Sequence, residues 1–383
     1  MRLSKRLPED LSDSPFFSQL SKLKRSVQGY TDLTVSSPLR TGQAFDLDAV
    51  LPQTLKKFST WNPDACGWEE ARKAVSKYYA DRGGNFDAED IQLTASTSEA
   101  YSILFKTLCN SGDSILTPLP GYPLLDSLAA LEFLKTAPYF TELDSGNWKL
   151  DSNSLYAFPP NTKILLIVSP NNPTGHVLSK KEWAETVEFA SREDLAIVVD
   201  EVFSDFIYDG SERPWNWDSK DVPVFFLGGF SKSVGSPQLK LGWIAYRAGR
   251  LGNALKPALE YVADAYLSVA SSAFSLAAPM LEKSLAYEMA IEERIRKNLE
   301  ILRTRFPSTD VMPNVQGGWY AALHFEDADD EELTLRLLEK AKVLVQPGFF
   351  FDFDEDGWIV VSLLSENETF AAAVERLYLE VAE

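Results

Sequence analysis

The sequence predicts an α/β protein built on a mostly parallel sheet, with a smaller α+β domain behind it. Two observations predict this. From about residue 70, strand-like and helix-like segments alternate, as a parallel sheet with crossover helices requires. Several of the strand-like segments are also unbroken apolar runs, such as Ile164-Leu165-Leu166-Ile167-Val168 and Ala196-Ile197-Val198-Val199, which suits strands covered on both faces.

Taken in order, residues 15–24 form an amphipathic helix and Ile91-Gln92-Leu93-Thr94 a strand, followed by a helix over about 98–110. Strands are expected at 114–117, 163–168, 195–200, 222–227 and 240–246, with helical stretches such as 180–191 between them. Beyond about residue 280 a charged helix, 281–305, precedes separated strands at 318–325, 343–346 and 358–364. The domain boundaries read from this change are 46–279 for the large domain and 1–45 with 280–383 for the small one.

A chain of 383 residues with 45% hydrophobic content buries a large core. Its 37 basic and 56 acidic residues leave a net charge of −19, which opposes nonspecific attraction to nucleic acid or an anionic membrane. Two cysteines, Cys66 and Cys109, build no disulfide framework and suit a reducing compartment. Two histidines, His176 and His324, do not support a multi-histidine metal site. Residues 1–10 carry Pro8-Glu9-Asp10 where a signal peptide needs an apolar segment, and no apolar run approaches the ~20 residues of a membrane span. A cytoplasmic location is the expectation.

Four motifs carry chemistry. Ser96-Thr97-Ser98 lies between a strand and a helix, where free N–H groups and the helix dipole face an anion, although the same residues make an ordinary N-cap. Asn171-Asn172-Pro173-Thr174-Gly175 follows an apolar strand at its carboxyl end, where open α/β sheets bind ligands; it also reads as a plain turn. Asp200 ends another such strand, where a buried carboxylate needs a cationic partner, be it a ligand or a structural ion pair. Lys232, in the small-residue loop Gly229-Phe230-Ser231-Lys232-Ser233-Val234-Gly235, is a nucleophilic amine if it is desolvated and a solvated loop lysine otherwise.

In this order, and with Lys240-Leu241-Gly242-Trp243 closing the lysine loop, these motifs resemble the class I/II aminotransferases of the type I pyridoxal phosphate fold, from about residue 25 onward. The resemblance implies a large domain with a mostly parallel seven-stranded sheet, pyridoxal 5′-phosphate as cofactor, and a homodimer that moves an amino group between a small amino donor and a 2-oxo acid. It assigns Lys232 to the Schiff base, Asp200 to the pyridinium nitrogen and Asn172 to the phenolic oxygen. Tyr122 would stack on the ring, and Ser96, Thr97, Ser98 and Lys240 would hold the phosphate.

The chain departs from that pattern at four positions. Phe203, Gly229 and Trp61 stand where the family often has hydroxyl-bearing side chains that bond the cofactor. Val360 stands where it has an arginine for the substrate carboxylate, so either another cation takes that role or the substrate lacks the carboxylate; Arg40 is the candidate cation, and reads otherwise as an exposed surface arginine. Other reactions of the same cofactor, a carbon–sulfur β-lyase, a decarboxylase or a racemase, share the fold, and a non-catalytic sensor is the alternative outside enzymes.

Overall fold

The computed structural model describes residues 4–8, 11–12 and 14–382, so the reading of residues 1–10 as other than a signal peptide falls partly outside it. Eight strands form one sheet: β1 (Ile91–Thr94), β2 (Ser114–Leu119), β3 (Lys135–Asp144), β4 (Asn147–Leu150), β5 (Thr162–Val168), β6 (Ala196–Asp200), β7 (Val224–Gly229) and β8 (Gly242–Arg247). Their spatial order is β1-β8-β7-β6-β5-β2-β3-β4. The central pairings from β7 through β6, β5 and β2 to β3 are parallel, while β8 runs antiparallel to both β1 and β7. Consequently β1, β2, β5, β6 and β7 all point their carboxyl ends toward the same edge.

The expected count of seven strands is one short. The eighth, β4, is a four-residue antiparallel edge strand hairpinned onto β3. Its residues are alternately exposed and buried, so it carries no apolar run to announce it.

The apolar runs are explained by two cores. Leu165, Ile167, Ile197, Val199, Phe226 and Trp243 pack on one face of the sheet. Ile164, Leu166, Val198, Phe225, Leu227 and Ile244 pack on the other, against α2 (Thr97–Leu108) and the helix Leu255–Asp264. α3 (Lys180–Arg192) starts at a capping box in which Ser179 and Glu182 satisfy each other's backbone N–H groups.

A second sheet joins β9 (Tyr320–His324), β10 (Gln346–Pro347) and β11 (Trp358–Ser362), with β11 in the centre and antiparallel to both neighbours. α4 (Ser284–Arg305) and α5 (Asn367–Val381) accompany it. Thr31–Asp32 pairs in parallel with Val343–Leu344, and Leu33 accepts the Ser362 N–H, which carries the following residues 36–38 beside this second sheet. The amphipathic helix expected at 15–24 spans Pro15–Ser26; its Phe16 and Phe17 rings pack on Phe349 and Phe350.

Candidate active site

The carboxyl edge of the large sheet opens into a cavity of about 530 Å³, and Ser96, Thr97, Ser98, Tyr122, Asn172, Asp200, Lys232 and Lys240 all border it. Arg40, the candidate carboxylate-binding cation, is not among the lining residues. It is exposed at the end of the turn Pro38–Arg40, and it is Ser36, Ser37 and Pro38 of that segment that reach the cavity. Trp61 is 72% exposed and stands outside this chain's cavity.

Each wall residue is placed by a local cause. At the start of α2 the Ser96 hydroxyl accepts the Glu99 N–H, so Ser96 is the N-cap, and Thr97 and Ser98 follow it on the cavity wall. The N-cap reading of this motif therefore holds, and the same residues border the cavity. Gly242 of β8 allows the approach: a Cβ there would lie 2.8 Å from the Ser96 carbonyl carbon and 3.0 Å from the Thr97 nitrogen. In the turn after β5, the Asn171 side chain accepts from the Thr174 hydroxyl at 2.9 Å, and its carbonyl accepts the Gly175 N–H. Gly175 has φ +72°, and a Cβ on it would meet the Gly317 carbonyl oxygen at 2.7 Å. Asn171 thus builds the turn and leaves Asn172 to the cavity, where the Asn172 Oδ1 is buried without a hydrogen-bond partner.

Asp200 is almost fully buried. It accepts from the Tyr101 hydroxyl at 2.7 Å and from the Val202 N–H at 3.2 Å. Burial raises its pKa against the opposing effect of those bonds and of Lys232. Lys232 shows the converse: burial pulls its amine down to about 8, while the charge of Asp200 works the other way. Its Nζ lies 5.2 Å from the Phe203 ring centre and 4.8 Å from that of Trp319. Lys232 is therefore a desolvated amine, not a solvated loop lysine. No direct ion pair joins it to Asp200 among the described residues.

Tyr101 is the functional candidate that sequence reasoning missed. It sits one helical turn after the N-cap of α2, and only the packing of that helix on the sheet brings it to Asp200. On the cavity side made by the second sheet and the N-terminal segment, Ser36, Ser37, Tyr320 and Gln346 join the lining, and Gln346 had no sequence signal.

The residues present suit a phosphorylated pyridine. It offers a helix N-terminus for an anion, an orphaned buried amide oxygen at Asn172, a buried carboxylate lacking a cation, and an unpaired amine. Gly229 departs from the family's serine for a visible reason: a Cβ there would stand 3.0 Å from the Leu241 carbonyl oxygen and 3.1 Å from the Gly242 Cα.

Comparison with known proteins agrees. The model of aminotransferase class I and II matches residues 30–377, and the chain belongs to that family. It is 27% identical over 363 residues to the glutamate-pyruvate aminotransferase AlaA of Escherichia coli K12, covering 88% of this chain and 87% of that one. It is 30% identical over 207 residues to human tyrosine aminotransferase, covering 53% and 45%. Among solved structures, alanine aminotransferase from Pyrococcus furiosus superposes with a TM-score of 0.90 at 23% identity over the full length of both chains. A Thermus thermophilus aspartate aminotransferase double mutant gives 0.85 at 21% identity, covering 99% of this chain and all of the other. The protein is an aminotransferase, a transferase enzyme of the type I fold.

Proposed function

We propose that this cavity holds pyridoxal 5′-phosphate and that the chain uses it to move an amino group from a small amino donor to a 2-oxo acid. The observation that carries the reading is the meeting of Asp200, Lys232, Asn172 and the N-terminus of α2 in one cavity. Thr97 and Ser98, with Lys240 across from them, would receive the phosphate, and the Asn172 side chain would bond the ring hydroxyl. Tyr122 would cover the ring face. Asp200, oriented by Tyr101 and Val202, would meet the ring nitrogen with a charge that burial leaves otherwise uncompensated.

The bound cofactor supplies an electron sink for the substrate Cα. The protein supplies the rest. Lys232, with its amine held near neutrality, attacks as a nucleophile at a pH where an exposed lysine is fully protonated. With substrate in the cavity, the same amine would be the wall group able to take a proton and return one. The Phe203 and Trp319 rings lie beside that amine and give it an apolar flank.

The division into a cofactor-binding part, 46–279, and a smaller part, 1–45 with 280–383, belongs to the same reading. So do a homodimer and a cytoplasmic location. The exposed apolar side chains of Leu55, Trp61, Leu267 and Leu285 support the first, and the two unpaired cysteines support the second. Borohydride reduction of the protein loaded with pyridoxal phosphate tests the core of the reading. Label on the peptide that contains Lys232, and none on Lys232→Ala, is expected; label elsewhere would refute it. Sedimentation of the loaded protein tests the dimer.

A further inference from the structure

Among the described residues lining the cavity, the cations are Lys232 and Lys240, both on the side of the large sheet. The opposite wall consists of Ser36, Ser37, Tyr320, Gln346, Phe350 and Phe351, none of them charged. One of these is placed with particular consequence. The register of the second sheet sets Gln346 opposite Val360, and Val360 opposite Ala322. Directly opposed residues of antiparallel strands share a face, so the three form one row. Val360 is completely buried and does not line the cavity, whereas Gln346 is half-buried and does. The Gln346 Oε1 is buried without a hydrogen-bond partner, a condition that is unfavourable until something satisfies it.

A carboxamide carries one acceptor, two N–H donors and no charge. A carboxylate set against it is acceptor-only, gains no counter-charge, and is unfavourable to withdraw from water unpaired. A carboxamide or hydroxyl on the substrate can give and accept at once. We propose that Gln346 is a specificity-determining residue, and that the amino donor carries an uncharged carboxamide or hydroxymethyl group where an amino acid carries its α-carboxylate. This rests on the assignment of the cavity to amino-group transfer. The carboxylate of the oxo acid, which visits the same place in the second half-reaction, meets only the amide N–H groups there, and so the acceptor binds weakly.

The test compares L-leucine, L-leucinamide and L-leucinol, which differ only at that group, as donors to the holoenzyme. The readouts are the rate constant for conversion of bound cofactor to its amino form, the KM for pyruvate, and the shift in Tm produced by propanamide or propionate, neither of which can react. Wild-type enzyme should prefer an uncharged donor to leucine by about tenfold or more in kcat/KM, and propanamide should raise Tm more than propionate. Gln346→Arg should reverse both orders and lower the KM for pyruvate. Gln346→Leu should weaken the uncharged donors without helping leucine. A wild-type preference for leucine that neither variant alters, or equal rates for all three donors, would overturn the proposal and assign the anchor to another group. If none of the three donors, nor alanine or glutamate, converts the cofactor, the aminotransferase reading of the cavity itself fails.

Discussion

The two sides of the cavity are built on opposite principles. The side made by the large sheet is charged, and hydrogen bonds behind the wall position its groups: Tyr101 and Val202 hold Asp200, the Ser96 hydroxyl caps α2, and Asn171 folds the turn that presents Asn172, whose Oδ1 has no partner of its own. The side made by the second sheet and residues 36–38 is uncharged, and one of its polar groups, the Gln346 carbonyl, has no partner. Electrostatic stabilisation acts only where dipoles and charges are fixed before reaction. The first side is therefore suited to a constant ligand and the second to a variable one, and changes to the first should reduce chemistry while changes to the second should redirect it.

The largest effect expected on the charged side is at its one nucleophile. Lys232→Arg keeps a cation but offers no amine that can deprotonate near neutrality, and turnover should fall by about a thousandfold or more. Equal turnover in the variant, measured with saturating cofactor, would remove Lys232 from the chemistry.

The two sides are held together by Arg82. Its Nε donates to Asp205 at 2.8 Å, in the segment after β6, while its Nη2 donates to Ser284 and Glu288 of α4. The Tyr78 hydroxyl donates to the other Asp205 oxygen at 2.7 Å. Arg82→Ala would leave two buried carboxylates facing each other, and Glu288, already raised to about 7 chiefly by burial, has no other cation in this cluster. A loss of about 3–5 kcal/mol in urea unfolding is expected. A loss under about 1 kcal/mol would mean that water enters and screens the pair, as it does for exposed ion pairs.

Tyr101→Phe should act on cofactor retention. It deletes the donor on Asp200 Oδ2, which raises the Asp200 pKa further and weakens its pairing with a cationic ring nitrogen. A hydrogen bond to a charged group is worth about 1.5–3 kcal/mol, so equilibrium dialysis should show roughly ten- to hundredfold weaker binding of pyridoxal phosphate. Unchanged affinity would make the hydroxyl a packing feature only. The pH dependence of cofactor capture follows from Lys232. The free-amine fraction increases up to and beyond about pH 8, so the second-order rate should rise with a midpoint near there; a midpoint near that of an exposed lysine would refute the desolvated site.

How far the sequence could foretell this depends on whether a feature is local. The strands of the large sheet are visible because both faces are covered, and Asp200, Asn172 and Lys232 could be singled out because each follows such a strand or its turn. The hairpin β3–β4 was not foreseen, since much of it is solvent-exposed and its pattern is alternating. Tyr101 and Gln346 lie in segments whose local pattern gives no sign of a ligand: one looks like a core residue of an amphipathic helix, the other like a polar residue in a two-residue strand. Arg40 shows the converse case. Of its two readings the exposed surface arginine holds, because the turn Pro38–Arg40 presents its first residue to the cavity and leaves its last exposed.

The smallest effect expected separates two carboxyls that are neighbours in sequence. Asp200 faces the cavity, while Glu201 turns into the core, where the Tyr79 hydroxyl and the Trp215 indole donate to it and Tyr79 in turn accepts from Trp243 at 3.0 Å. Burial raises the Glu201 pKa to about 8 despite those donors. A carboxyl raised from about 4.5 in this way stabilises the fold fully below pH 4.5, where it is protonated in both states. It loses that contribution as pH rises toward 8, because the unfolded chain ionises first. Glu201→Gln imitates the protonated form at every pH. In urea titrations, the stability of the variant relative to wild type should therefore climb between about pH 4.5 and 8 and level off above, with little change in turnover, since Glu201 does not line the cavity. A difference independent of pH would show that the core admits the ionised carboxylate. The contrast between Asp200, whose buried charge a ligand can compensate, and Glu201, whose charge is contacted only by neutral hydrogen-bond donors, would then be lost.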